Sequence, residues 1–161
     1  MTKVRPLPIA GERITTGEEI VVVSPFDGAE LGRVPQCGPG EVDRAVAAAR
    51  DALDDGPLPG WQRADILDRA ARLLDERAED FARIIAAEAA KPLKTARVEA
   101  KRAVSTFTFA AVEARSLTGD LVPMDASDAG EGKLAFTLRV PIGVIGAISP
   151  FNFPLNLVAH K

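Results

Sequence analysis

Pro141-Ile-Gly-Val-Ile-Gly-Ala-Ile-Ser-Pro-Phe-Asn-Phe-Pro-Leu-Asn-Leu-Val-Ala-His-Lys161 reads as an apolar strand, a tight polar-tipped turn and the start of a helix. Residues Val144 to Ile148 are apolar on both faces, the pattern of a strand inside a parallel sheet. The turn Ser149-Pro-Phe-Asn-Phe-Pro154 follows at the carboxyl end of that strand, the edge on which open α/β sheets bind ligands. Pro154 suits the first helical position, where its missing N–H is no loss. The residues before it would then stand at a helix N-terminus, whose N–H groups and dipole favour a phosphate or an oxyanion. Asn152 adds a neutral side-chain donor, and two roles are open to it: capping the helix, or donating to a reacting oxygen.

Upstream, the chain divides into an early hairpin over residues 14–35, a helical region over 40–117 and an extended segment over 118–140. In the first, Glu19-Ile-Val-Val-Val-Ser24 and Glu30-Leu-Gly-Arg-Val34 flank a turn at Asp27-Gly28, where glycine supplies the positive φ a hairpin needs. In the second, Val42, Ala45, Val46, Ala49 and Leu53 fall at helical spacing after Cys37-Gly-Pro-Gly40. Ile66, Ala70, Leu73 and Leu74, then Phe81, Ile84, Ile85 and Ala89, fit either two consecutive helices or one bent helix. Lys91-Pro92 ends that element, because proline disfavours helix in the residue before it. A further helix from about Lys94 to Ser116 is expected to bury Val98, Val104, Phe107, Ala111 and Val112. Lys133 to Val140 alternates as a half-exposed strand, and the passage to two-faced hydrophobicity at Val144 marks entry into a sheet interior.

Composition narrows the function. With 47% hydrophobic and 27% charged residues the chain is globular in character. A net charge of −3 leaves no basic footprint for nucleic acid or an anionic membrane surface. No apolar run reaches the roughly 18 residues of a membrane span, and the start lacks the apolar core of a signal peptide, so a cytoplasmic protein is expected. A single cysteine, Cys37, agrees with a reducing compartment. No metal site is expected, and His160 has no nucleophile or carboxylate constellation about it. Gly143 and Gly146 are spaced G-x-x-G, which is not the dinucleotide fingerprint.

The stretch from Pro141 to Leu155 resembles the segment of the NAD(P)-dependent aldehyde dehydrogenase superfamily in which a strand of the cofactor domain leads to a P-[FW]-N-[FY]-P turn. Ser24-Pro-Phe-Asp-Gly28, Glu41-Val-Asp-Arg-Ala-Val-Ala-Ala-Ala-Arg50, Trp61 before Arg63, and Glu88-Ala-Ala-Lys-Pro92 match the same family in order. The implied fold is α/β, the N-terminal part of the family's cofactor domain: a β-hairpin, several helices, an oligomerisation-type arm at 118–140 and the first strand of a parallel sheet. By this resemblance Asn152 is the oxyanion-hole residue, and Ile148, Ser149, Pro150 and Phe151 line the NAD or NADP cleft. Lys161 matches a family lysine and is left without a role. Ala90 departs from the family, which usually has glycine before the Lys-Pro pair, and so concerns helix termination rather than chemistry.

The family's reaction oxidises an aldehyde to a carboxylic acid through a cysteine thioester, with a glutamate activating water. Cys37 does not match that nucleophile. The nucleophile and the glutamate are expected beyond residue 161, so that these residues alone would be inactive and would bind no cofactor tightly. The resemblance further implies a small polar aldehyde, such as lactaldehyde or a semialdehyde, and a homo-oligomer for the complete enzyme. Two other readings are a CoA-acylating semialdehyde dehydrogenase and a short non-catalytic protein that pairs with a full-length subunit.

Overall fold

The computed structural model of the chain describes residues 4–161. Two antiparallel ribbons come first. Strands β1 (Leu7–Ile9) and β2 (Glu12–Ile14) pair with Leu7 opposite Ile14. Their connection is Ala10-Gly11, both at positive φ (52° and 79°), the signature of a tight hairpin turn that twists with its strands. This ribbon carries little sequence signal, because its strands are short and Pro8 interrupts the pattern. Strands β3 (Glu19–Val23) and β4 (Glu30–Pro35) form the expected hairpin, with Glu19 opposite Pro35 and a register shift at Val22/Val23. Its turn is closed by the Ser24 and Ala29 backbones, with the Ser24 N–H donating to Ala29 O at 2.8 Å.

Four helices make the body. Helix α1 (Pro39–Asp54) begins with proline at its first position, and the Glu41 side chain accepts the Gly38 N–H at 2.8 Å, one half of a capping box. Helices α2 (Gly60–Glu76) and α3 (Ala78–Ala89) are separate, broken at Arg77, which settles the choice between two helices and one bent helix. Helix α4 (Leu93–Ser116) packs along both. Arg115 on α4 ties to Asp65 and Asp68 on α2 at 3.1 and 2.8 Å, and Arg97 forks onto Glu79 of α3 at 2.8 and 2.9 Å.

The buried faces agree with expectation at Leu74, Ile85 and Ala111 and differ from it at neighbouring positions. On α4 the interior positions are Ala96, Glu99, Ala100, Ala103 and Ala111, while Val98 is 55% exposed and Val112 also faces out. On α2 they are Ala64, Ala71 and Leu74, with Ile66 and Leu73 exposed; on α3 they are Ala82 and Ile85, with Ile84 exposed. Close helix approach decides this, because small side chains let the backbones near one another while branched ones would hold them apart. At Gly60 a Cβ would stand 2.7 Å from the carbonyl oxygen of Ala114, so only glycine fits there without displacing α4.

Beyond α4 the chain is extended. Strands β5 (Leu121–Val122) and β6 (Ala135–Phe136) form a two-residue ladder bracketing two short 3₁₀ turns. The alternation over Lys133 to Val140 therefore yields pairing only at its centre. Residues 141–150 carry no ladder among the described residues, and Ile142, Ile145 and Ile148 are exposed, so the expected sheet strand at Val144 to Ile148 is not laddered here. A parallel strand forms only against neighbours that share its hydrogen bonds, and no other described strand lies beside it. No helix among the described residues is long and apolar enough to cross a membrane.

Two consequences follow from named positions. Ala90 ends α3 in the left-handed region (φ 50°, ψ 36°), a conformation that a Cβ penalises and glycine does not. Ala90→Gly is expected to raise stability by about 1 kcal/mol, read as a higher denaturation midpoint at constant slope. An unchanged or lower midpoint would show the conformation to be unstrained. The Glu79 carboxyl is held below its usual range, first by the hydrogen bond from Arg97. A lowered folded value means that the unfolded chain binds the proton more readily. The contribution is thus present above the ordinary glutamate value and lost as pH falls through the folded one. In Arg97→Gln the Glu79 midpoint, followed by carboxyl NMR, is expected to move back up.

Candidate active site

The turn that carries Asn152 rests on α4. Glu99 is 1% exposed, and its carboxylate is divided between two tasks. Oε1 accepts the backbone N–H groups of Leu155 (3.0 Å) and Asn156 (3.3 Å), while Oε2 accepts from Lys91 Nζ at 2.6 Å. A buried carboxylate is tolerated when its lone pairs are met in this way. Lys91 sits just after the left-handed end of α3, and its ammonium also stands 4.0 Å from the centre of the Phe153 ring, with the Arg102 guanidinium 5.8 Å from the same ring.

The far side of the turn is pinned as well. Ser149 Oγ donates to Leu157 O (3.3 Å), and the Thr106 hydroxyl of α4 donates to Asn156 Oδ1 (2.9 Å), whose residue is buried. Leu155 packs against the apolar cluster of Ala82, Ile85, Ala96 and Ala100. Helix α5 (Asn156–Ala159) is a single turn with Leu155 as its N-cap.

This geometry revises two expectations. Pro154 precedes the helix instead of opening it, and the first two amides there are already taken by Glu99, so they are not free for an anion. No side chain caps α5, which removes the capping role for Asn152. Asn152 lies at the exposed tip of the turn. Ile148 and Phe151 flank it at 91% and 90% exposure, Pro150 is exposed, and Ser149 is half-buried. Residues 148–152 thus present an exposed apolar edge with a polar tip, and the chain that follows it is held to α4 at Leu155 and Asn156. Lys161 Nζ donates back to Leu157 O (3.4 Å), and His160 lies 3.4 Å from the Asn156 amide nitrogen, in agreement with a structural part for the histidine. Cys37 lies half-buried on the loop between β4 and α1. Among the described residues no group of three or more His, Cys, Asp or Glu could hold a metal ion.

Glu99, Lys91 and Thr106 are not among the site residues expected from sequence, since glutamate in a helix is ordinarily solvated. The signal was present: Ala96, Glu99, Ala100 and Ala103 form one stripe, and a carboxylate set within a stripe of alanines is placed to face the interior.

The profile of the aldehyde dehydrogenase family matches residues 13–161. A 3-sulfolactaldehyde dehydrogenase of Priestia aryabhattai is 39% identical over 155 residues, which is 96% of this chain and 32% of that protein. Among solved structures, aldehyde dehydrogenase 21 of Physcomitrella patens, in complex with the product succinate, superposes with a TM-score of 0.93 at 31% identity, covering 100% of this chain and 34% of its own. An NADP-dependent glyceraldehyde-3-phosphate dehydrogenase of Bacillus halodurans, complexed with NADP, gives 0.90 at 36% identity, covering 98% and 34%. The chain spans about a third of the length of the relatives it matches. Through the profile match and the agreement in sequence and backbone, from the first hairpin to the Asn152 turn, the chain belongs to the aldehyde dehydrogenase family.

Proposed function

We propose that these residues supply the oxyanion donor and one wall of the cofactor cleft in the NAD(P)+-dependent oxidation of a small polar aldehyde. The observation that carries this is Asn152, exposed in a turn that Glu99 anchors at the amides just after it, those of Leu155 and Asn156. When a nucleophile adds to the aldehyde carbon, the carbonyl oxygen takes up negative charge. The Asn152 amide N–H₂ donates to that oxygen without changing its own protonation, and its fixed support means that little reorganisation accompanies the step. The amides of Leu155 and Asn156 are taken by Glu99, and the family turn pattern supports the Asn152 side chain as the donor.

Ile148, Ser149, Pro150 and Phe151 form the cleft wall. The exposed faces of Ile148 and Phe151 suit the flat, partly apolar surface of a nicotinamide nucleotide. NAD(P)+ supplies the hydride acceptor when bound. The extended segment 118–140, with Leu121, Leu134, Phe136, Leu138 and Val140 exposed, suits an arm that another subunit covers. A reducing, cytoplasmic setting agrees with the free Cys37 thiol.

In a full-length aldehyde dehydrogenase carrying this segment, Asn152→Ala is expected to lower kcat by about 10²–10³-fold with a much smaller change in KM. An unchanged kcat would remove Asn152 from the chemistry. The 161 residues alone are expected to show no aldehyde oxidation and only weak NAD(P)+ binding in a calorimetric titration; tight binding would show the cleft to be complete within them.

A further inference from the structure

We infer that Glu99 is a positioning residue for Asn152, and that Lys91 is its partner in that role. The inference rests on the reading of Asn152 given above. The two amides that Glu99 Oε1 accepts, at Leu155 and Asn156, follow Asn152 by a few residues. The intervening chain is only Phe153-Pro154, in which the proline ring fixes its own φ and restricts the backbone of Phe153. A displacement at Leu155 is therefore passed to the Asn152 amide instead of being absorbed between them. The Lys91 ammonium adds a second hold on the same segment. It meets Glu99 Oε2 at 2.6 Å and faces the Phe153 ring at 4.0 Å, joining the residue after Asn152 to the carboxylate that anchors the turn.

A purely structural ion pair is the competing account. Burying such a pair adds little stability over a well-packed apolar side chain, so stability alone does not call for a carboxylate inside an alanine stripe. What a carboxylate does there, and an apolar side chain cannot, is accept two successive backbone N–H groups while holding an ammonium. That sets the height and direction of the turn. For an oxyanion donor the direction matters, since misplacement by about 1 Å can cost on the order of 100-fold in rate.

The test uses Glu99→Gln and Asn152→Ala, singly and together, in a full-length aldehyde dehydrogenase carrying this segment, with kcat and KM for the aldehyde measured at saturating NAD(P)+. Glu99→Gln is expected to lower kcat by about 10–100-fold with little change in KM. In the Asn152→Ala background it should add nothing, because it acts through that side chain. If Asn152→Ala leaves kcat unchanged, the reading of Asn152 falls, and this inference with it. If Asn152→Ala is slow but Glu99→Gln exerts its full loss in that background, or has no effect alone, only the positioning role falls. A second measurement needs no variant: hydrogen exchange on the unmutated 161-residue chain. The Leu155 and Asn156 amides are expected to exchange about 100-fold or more slowly than unprotected amides; exchange at open-loop rates would overturn the anchor.

Discussion

A single buried carboxylate joins the helical body to the turn that carries Asn152. Glu99 projects from α4 between alanines, with its side chain excluded from water. Leaving such a charge unpaired would cost about 3–5 kcal/mol, so the Lys91 ammonium and the amides of Leu155 and Asn156 must be in place together. Lys91 is delivered by the left-handed end of α3 at Ala90, and the two amides by the turn after Pro154. Helix termination on α3, the face of α4 and the shape of the Asn152 turn are thereby parts of one arrangement.

The packing that surrounds this carboxylate is built from small side chains. Ala82, Ala96 and Ala100 close around Ile85 and receive Leu155, so the turn is also held by apolar contact. Close approach of this kind leaves little room for branched residues, which is why Ile66, Leu73 and Val98 lie outside the interfaces. With Ile148, Phe151 and the apolar residues of 118–140, they leave apolar surface that no other described residue covers. Of that surface, Ile148 and Phe151 belong to the proposed cofactor wall and the residues of 118–140 to the proposed subunit contact.

The candidate site was partly legible from residue identity. Pro150, Asn152 and Pro154 mark a turn whose tip is polar, and the family turn pattern named Asn152 directly. The hairpin over Glu19–Pro35 was equally readable, since Asp27-Gly28 dictates a local geometry between two apolar runs. Other local signals were weaker. The β1–β2 ribbon depends on two short strands around Ala10-Gly11, and Ala10 is not a residue that announces a positive φ.

Local chemistry in the sequence therefore determined the β3–β4 hairpin, the order of the helices after it and the helix break at Pro92. Each of these follows from backbone restrictions or from residue type within a few positions. The tertiary structure alone decided that Ala96, Ala100 and Ala103 line the α4 interior while Val98 faces out, that Glu99 lies inside, and that its Oε1 takes the amides an anion was expected to use. Hydrophobic periodicity weights large side chains, whereas the interfaces between these helices are set by how closely two backbones can approach. A buried charge is settled only by partners that arrive from distant parts of the chain.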